Sequence, residues 1–118
     1  MPDPFVANVR SQNGAAILDL VGEINLFAEQ AMNAAYTQAA QLDAKTILLN
    51  FRDVTYINST GIALVVGLMA QARKSGRKLL ATGLSEHYQE IFKITRLADF
   101  MTIYPDEAHA MAELKFEI

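Results

Sequence analysis

The groups best placed to do chemistry in this chain sit in one short run, Asp53-Val54-Thr55-Tyr56-Ile57-Asn58-Ser59-Thr60-Gly61. It follows an apolar stretch that reads as a buried strand and precedes a long apolar helix. In open α/β sheets, ligand and partner sites gather at this strand-to-helix end. Ser59 and Thr60 place adjacent hydroxyls at a helix start, where free backbone N–H groups and the helix dipole can hold an anion such as a phosphate. A purely structural reading stands beside this one: Ser59 is the N-cap of the helix, a role that Asn58 and Thr60 can also fill.

Other constellations carry less. Nucleophilic catalysis by Ser59 needs a base in reach, and the glycine that opens a nucleophile elbow is replaced by Ile57. The only histidines, His87 and His109, read as exposed helix positions. Two histidines without cysteine do not make a zinc set of three or four nitrogen or sulfur ligands. Glu86, His87 and Glu90 share a helical spacing that fits a solvated face, and Lys74, Arg77 and Lys78 flank Gly76 as charged ends of a turn. No metal and no cofactor are expected, and the chain is not read as an enzyme.

The elements that must position Ser59 follow from periodicity. Residues 5–10 alternate as a strand, Asn13-Gly14 marks a tight turn, and residues 15–21 form the second arm of a hairpin that Gly22-Glu23-Ile24-Asn25 ends with loop chemistry. Between Phe27 and Leu42 the period changes. Ala28, Ala31, Met32, Ala35, Ala39 and Leu42 fall on one helical stripe, without glycine or proline to interrupt it. Residues 46–51 read as a central strand buried on both faces, residues 52–59 as a loop, and residues 60–74 as a second helix. A strand at 78–82, a short helix at 86–93, a strand at 101–104 and a terminal helix opened by Pro105 complete the order β-β-α-β-α-β-α-β-α. This α/β alternation implies a mixed, mostly parallel sheet with flanking helices, edged by the antiparallel hairpin.

On the second helix, Ile62, Val65, Val66, Met69 and Ala72 form one face at about 100° per residue. Leu64 and Leu68 spread beyond it. Either another helix covers them, or they are exposed beside Ser59 as a docking surface.

The 118 residues fit one domain over 1–118, and 52% hydrophobic content supplies a continuous core. Ten basic and 13 acidic side chains give a net charge of −3. With no basic block to neutralise phosphates, neither nucleic acid nor an anionic membrane is expected as a partner. Without cysteine there is no disulfide framework. Met1-Pro2-Asp3-Pro4 lacks the features of a secretion signal, and the longest apolar stretch, Gly61 to Ala70, falls short of the about 20 residues that cross a bilayer. The expected location is cytoplasmic.

Leu20-Val21-Gly22-Glu23-Ile24, the apolar strand Ile47 to Phe51, and Ile57-Asn58-Ser59-Thr60-Gly61-Ile62 resemble the STAS domain of bacterial anti-sigma factor antagonists. The resemblance runs nearly the whole chain. It implies a STAS-like fold with the phosphoacceptor serine at Ser59 and Thr60 as a secondary candidate. It implies a partner that is both anti-sigma factor and serine kinase, which the unmodified domain binds so that the sigma factor is released, and a serine phosphatase that reverses the modification. The partner-binding surface is then expected around Asn25, Asn58, Thr60, Gly61, Leu64 and Leu68. Two positions depart from the family pattern, which has aspartate where this chain has Asn25 and Asn58. Both substitutions keep a small capping side chain and remove a negative charge. A non-phosphorylated STAS scaffold, or an accessory subunit of a transporter, is the alternative that Asn58 raises.

Overall fold

The computed structural model describes residues 4–114. Met1 to Asp3, part of the start read above as lacking a secretion signal, and residues 115–118 lie outside the described residues. Five strands form one sheet in sequence order: β1 (Val6–Gln12), β2 (Ala15–Ile24), β3 (Thr46–Ile57), β4 (Lys78–Thr82) and β5 (Thr102–Tyr104). β1 and β2 pair antiparallel, and the other neighbours pair parallel. The helices α1 (Glu29–Gln41), α2 (Ser59–Lys74), α3 (Glu86–Ile94) and α4 (Glu107–Leu114) alternate with the strands in the expected order. The hairpin turns at Asn13 and Gly14, both at positive φ, as a tight two-residue turn between twisted strands requires.

The two faces of the sheet are covered unequally. On one, Leu18, Leu20, Leu49, Phe51 and Ala81 pack against Met32, Ala35, Val65, Leu68 and Phe92 from α1, α2 and α3. On the other, Ile17, Leu48 and Leu80 pack against Ala110 and Met111 of α4. Ile47, Leu48 and Leu49 are all fully buried, as expected of a strand covered on both sides. Phe92 meets Phe51 edge to face, with ring centroids 5.8 Å apart, which fixes α3 on β3.

Several boundaries differ from expectation: the terminal helix starts at Glu107 rather than at Pro105, and two strands run on past their expected ends. β2 continues to Ile24, and β3 to Ile57, where loops were expected. The added segments pair with each other, Ile24 beside Ile57, with register shifts on the way. Beyond Thr82, β3 has no β4 partner, and Arg52, Asp53, Thr55 and Tyr56 face solvent. Their polarity hid a strand that its ladder hydrogen bonds and the inward-facing Val54 and Ile57 sustain. The α1 stripe also shifts: Leu42 is exposed because α1 ends at Gln41, and Tyr36 is buried instead. The alanines still bring the helix close, since Ala28, Ala35 and Ala39 are buried.

The α4 face carries a polar network. Arg10 of β1 donates to Asp19 of β2 through Nε (2.6 Å) and Nη2 (3.1 Å), and also to Glu107 of α4. Asn50 Nδ2 on β3 donates to Asp19 Oδ1 at 2.8 Å. Three strands and a helix are tied by one guanidinium, two carboxylates and one amide. The hydrogen bonds from Arg10 are the main reason that the Asp19 carboxyl lies below the usual carboxylate range; partial burial opposes them and Asn50 adds to the lowering.

A depressed carboxyl pKa contributes stability above the unfolded value, about 3.9, and loses it as pH falls through the lower folded value. The melting temperature should therefore drop below about pH 4. In Asp19→Asn it should be lower at pH 7 and fall less steeply in acid. Thermal melts across pH 2–7 check this, and parallel curves for the two proteins would contradict it.

Candidate functional site

The site is built where β2 and β3 end side by side. The Ile24 carbonyl accepts the Asn58 N–H at 3.2 Å, which turns the chain out of β3 and into α2. The Asn58 side chain then accepts the Gly61 N–H at 2.8 Å, and its carbonyl accepts the Ile62 N–H at 2.9 Å. Asn58 is therefore the N-cap, with extended backbone angles as caps have. Asn25 does the same one strand over: Oδ1 accepts the Phe27 N–H at 2.9 Å and starts a 3₁₀ turn, Leu26–Ala28, which contacts α2.

Gly61 explains why α2 sits so near β2. A Cβ built on it would lie 2.0 Å from the Ile24 carbonyl oxygen and 2.9 Å from the Ile57 side chain. Any larger residue would lever the helix off the strand end. Tyr88 of α3 supports the opposite side: its hydroxyl accepts the Ile57 N–H at 2.8 Å, a group that no neighbouring strand reaches on that side.

Ser59 and Thr60 open α2 and are both exposed. The capping role offered for Ser59 belongs to Asn58, so the Ser59 hydroxyl is not needed to hold the helix start. The Ser59 and Thr60 N–H groups belong to the first turn, which has no intrahelical carbonyl to bond. Free hydroxyls thus stand at the positive end of a 16-residue helix.

The apolar surroundings differ from expectation. Leu68 is 1% exposed and belongs to the core, because it shares the buried face of α2 with Gly61, Val65, Met69 and Ala72. It drops out of the docking surface. Leu64 is half-buried against the same core, and Val66, placed on the core face above, is exposed. The exposed large apolar side chains on the elements that meet the start of α2 are instead Leu26 and Phe27, on the 3₁₀ turn that contacts α2, and Tyr56, at the end of β3 just ahead of it. Phe27 is 89% exposed. The signal lay in Leu26-Phe27 standing just ahead of the alanine stripe, where the stripe itself gives them nothing to bury against.

Nothing equips Ser59 for hydrolysis. Its backbone is not among the left-handed positions that strain a nucleophile elbow. His87 and His109 lie exposed on α3 and α4, and the His109 ring contacts Asp106 at 2.7 Å rather than a serine. Among the described residues, no group of three or more His, Cys, Asp or Glu side chains is arranged to hold a metal ion. Nor is any helix among them long and apolar enough to cross a membrane.

The STAS domain family matches residues 6–110. This chain belongs to the STAS family. The anti-sigma-B factor antagonist of Staphylococcus aureus (strain NCTC 8325) is 28% identical over 82 residues, covering 70% of this chain and 76% of that protein. The anti-sigma-B factor antagonist of Bacillus subtilis (strain 168) is 27% identical over 96 residues, covering 81% and 87%. Among solved structures, the anti-sigma factor antagonist SpoIIAA in its unphosphorylated form superposes with a TM-score of 0.71 at 18% identity over 97% of this chain and 99% of its own. The Bacillus cell fate determinant SpoIIAA in its phosphorylated form gives 0.70 at 21% identity over 92% and 99%. A sulfate transporter family protein from Wolinella succinogenes gives 0.78 at 17% identity over 91% and 89%. These structures share the fold, with its antiparallel hairpin and parallel remainder. By name, both of these curated relatives are antagonists of an anti-sigma factor.

The capping assignment separates two neighbouring residues by calorimetry. Asn58→Ala should cost about 0.5–2 kcal/mol, while Ser59→Ala should stay within about 0.5 kcal/mol of the parent. Equal losses would return the cap to Ser59. Gly61→Ala should be the most damaging single methyl in the chain, at about 3 kcal/mol or more.

Proposed function

We propose that this STAS protein is an anti-sigma factor antagonist whose docking is switched by phosphorylation of Ser59. The carrying observation is an exposed hydroxyl, free of capping duty, at the start of α2, the helix contacted by the turn that carries the exposed Leu26 and Phe27. In this reading the unmodified surface, with Asn25, Asn58, Thr60 and Gly61 shaping its polar centre and Leu64 its margin, binds an anti-sigma factor. The bound sigma factor is thereby released. The partner is also the serine kinase, a serine phosphatase restores the free hydroxyl, and the exchange belongs in the cytoplasm.

The physics supports a switch that spares the fold. In the modification, Ser59 Oγ attacks the γ-phosphorus of ATP, loses its proton and displaces ADP. Asn58 is an amide already engaged with Gly61, so the proton acceptor comes from the kinase. The product adds about −1.5 to −2 charges at neutral pH. The first turn of α2 tolerates that charge in the free domain. Covering it with an apolar partner surface requires desolvation, and a penalty of about 3 kcal/mol lowers affinity more than a hundredfold. Thr60, one residue further into the same turn, is the secondary acceptor.

Incubation with the cognate anti-sigma kinase and ATP, followed by mass spectrometric mapping, tests the modification. Label is expected at Ser59, and absence of label at both Ser59 and Thr60 would remove the switch. Calorimetric titration tests docking: Ser59→Asp should weaken binding of the anti-sigma factor at least tenfold with an unchanged melting temperature, and Phe27→Ser should weaken it comparably. A second reading, a STAS scaffold or transporter subunit, is favoured by the likeness in fold to the sulfate transporter family protein and by the missing carboxylate at Asn58. Recovery of a transporter instead of an anti-sigma factor from native lysate would select it.

A further inference from the structure

At the other end of α2, two grooves join into one surface. The first, about 200 Å³, is lined by Val66, Met69, Ala70, Arg73 and Phe100. The second, about 370 Å³, shares Met69, Arg73 and Phe100 and continues past Arg77, Lys78 and Asp99. Phe100 is 56% exposed and Val66 42%, so large apolar side chains face water here. The Arg73 guanidinium lies 5.2 Å from the Phe100 ring centroid, which joins the apolar floor to the charged wall.

The charge of this end runs against the chain as a whole, in which acids outnumber bases by 13 to 10. Arg73 and Arg77 line it, and among the described residues its one lining carboxylate, Asp99, is paired with Arg96 at 2.7 Å. Arg77 also donates to the Ala44 and Ala40 carbonyls at the end of α1, at 3.0 and 3.3 Å, but these neutral acceptors leave its net charge in place. A small inorganic anion would use the cations and none of the apolar floor. A nucleic acid would need a longer basic track than one helix end supplies. A basic wall along an apolar floor complements a segment that carries carboxylates on one side and aliphatic side chains on the other.

We propose that this end of α2 docks an acidic amphipathic segment of a partner protein. Its apolar side chains lie on Val66, Ala70 and Phe100, and its carboxylates face Arg73 and Arg77. The fourteen residue steps from Ser59 to Arg73 span about 21 Å at 1.5 Å per residue, well beyond the about 8 Å over which physiological salt leaves charges in communication. Docking here is therefore independent of the charge on Ser59 and does not rest on the proposed switch.

The test uses the full chain and a synthetic amphipathic peptide with glutamates on one helical face and leucines on the other, followed by fluorescence anisotropy and by amide NMR shifts. Saturable binding is expected, with shifts centred on Val66, Ala70, Arg73 and Phe100 and with affinity that falls as salt is raised. Arg73→Glu and Phe100→Ser, each checked for native circular dichroism, should each weaken binding about tenfold. Ser59→Asp should leave it unchanged. The proposal is overturned if binding does not saturate, if the shifts map to Leu26, Phe27 and Tyr56, or if inorganic phosphate reproduces them, which would make this an anion site alone. It is equally overturned if sedimentation shows the free chain self-associating through Phe100, which would make a second copy the occupant. None of these results bears on whether Ser59 is phosphorylated.

Discussion

The approach of Gly61 to the Ile24 carbonyl is the contact on which the arrangement depends. That oxygen accepts the Asn58 N–H and lies where a side chain on residue 61 would otherwise be. Because the separation leaves no room for a methyl group, the start of α2 is drawn onto the end of β2. The 3₁₀ turn that leaves Ile24 is then held against α2, and the exposed Phe27 is carried on that turn. Loosening that one approach would shift the start of α2, and Ser59 with it, away from the end of β2. The glycine, the two asparagine caps and Tyr88 form a frame around Ser59 without using Ser59 itself.

Most of the architecture is legible in the sequence. The Asn13-Gly14 turn, the unbroken apolar run of β3 and the alanine stripe of α1 each obey a local rule, and local rules in agreement specify the element order. Strand length was less legible. Asp53 and Thr55 read as loop because pattern reasoning recognises strands by what they bury, and the end of β3 buries only Ile57 fully. Partition of the α2 faces was also hidden. A 16-residue helix with apolar residues almost all round permits several stripes, and the direction from which β4 and α1 approach decides that Leu68 goes in and Val66 stays out. Phe27 reads as the first residue of the helix that follows, and Leu26 falls between elements. Their exposure is set by the turn that Asn25 initiates, a feature with no periodicity.

The two asparagines divide structural from electrostatic roles. In each, an oxygen accepts a backbone N–H, and a carboxylate would do so as well. What aspartate would add is charge at the head of α2. Replacing it with an amide leaves the geometry of the site and lowers the local negative potential. A phosphate placed there is repelled less by its own domain than it would be beside two carboxylates.

The ends of the sheet differ in a way that bears on solubility. β5 is three residues long and runs into Pro105, so its outer edge offers almost no ladder for another chain to extend. β1, at the far side, is longer, but Asn8, Arg10, Ser11 and Gln12 stand exposed along it. Arg10 is held sideways across the sheet toward α4, which ties that margin to a helix rather than leaving it a flat ribbon. Crowded copies of this protein are thereby discouraged from zipping together margin to margin into fibrils.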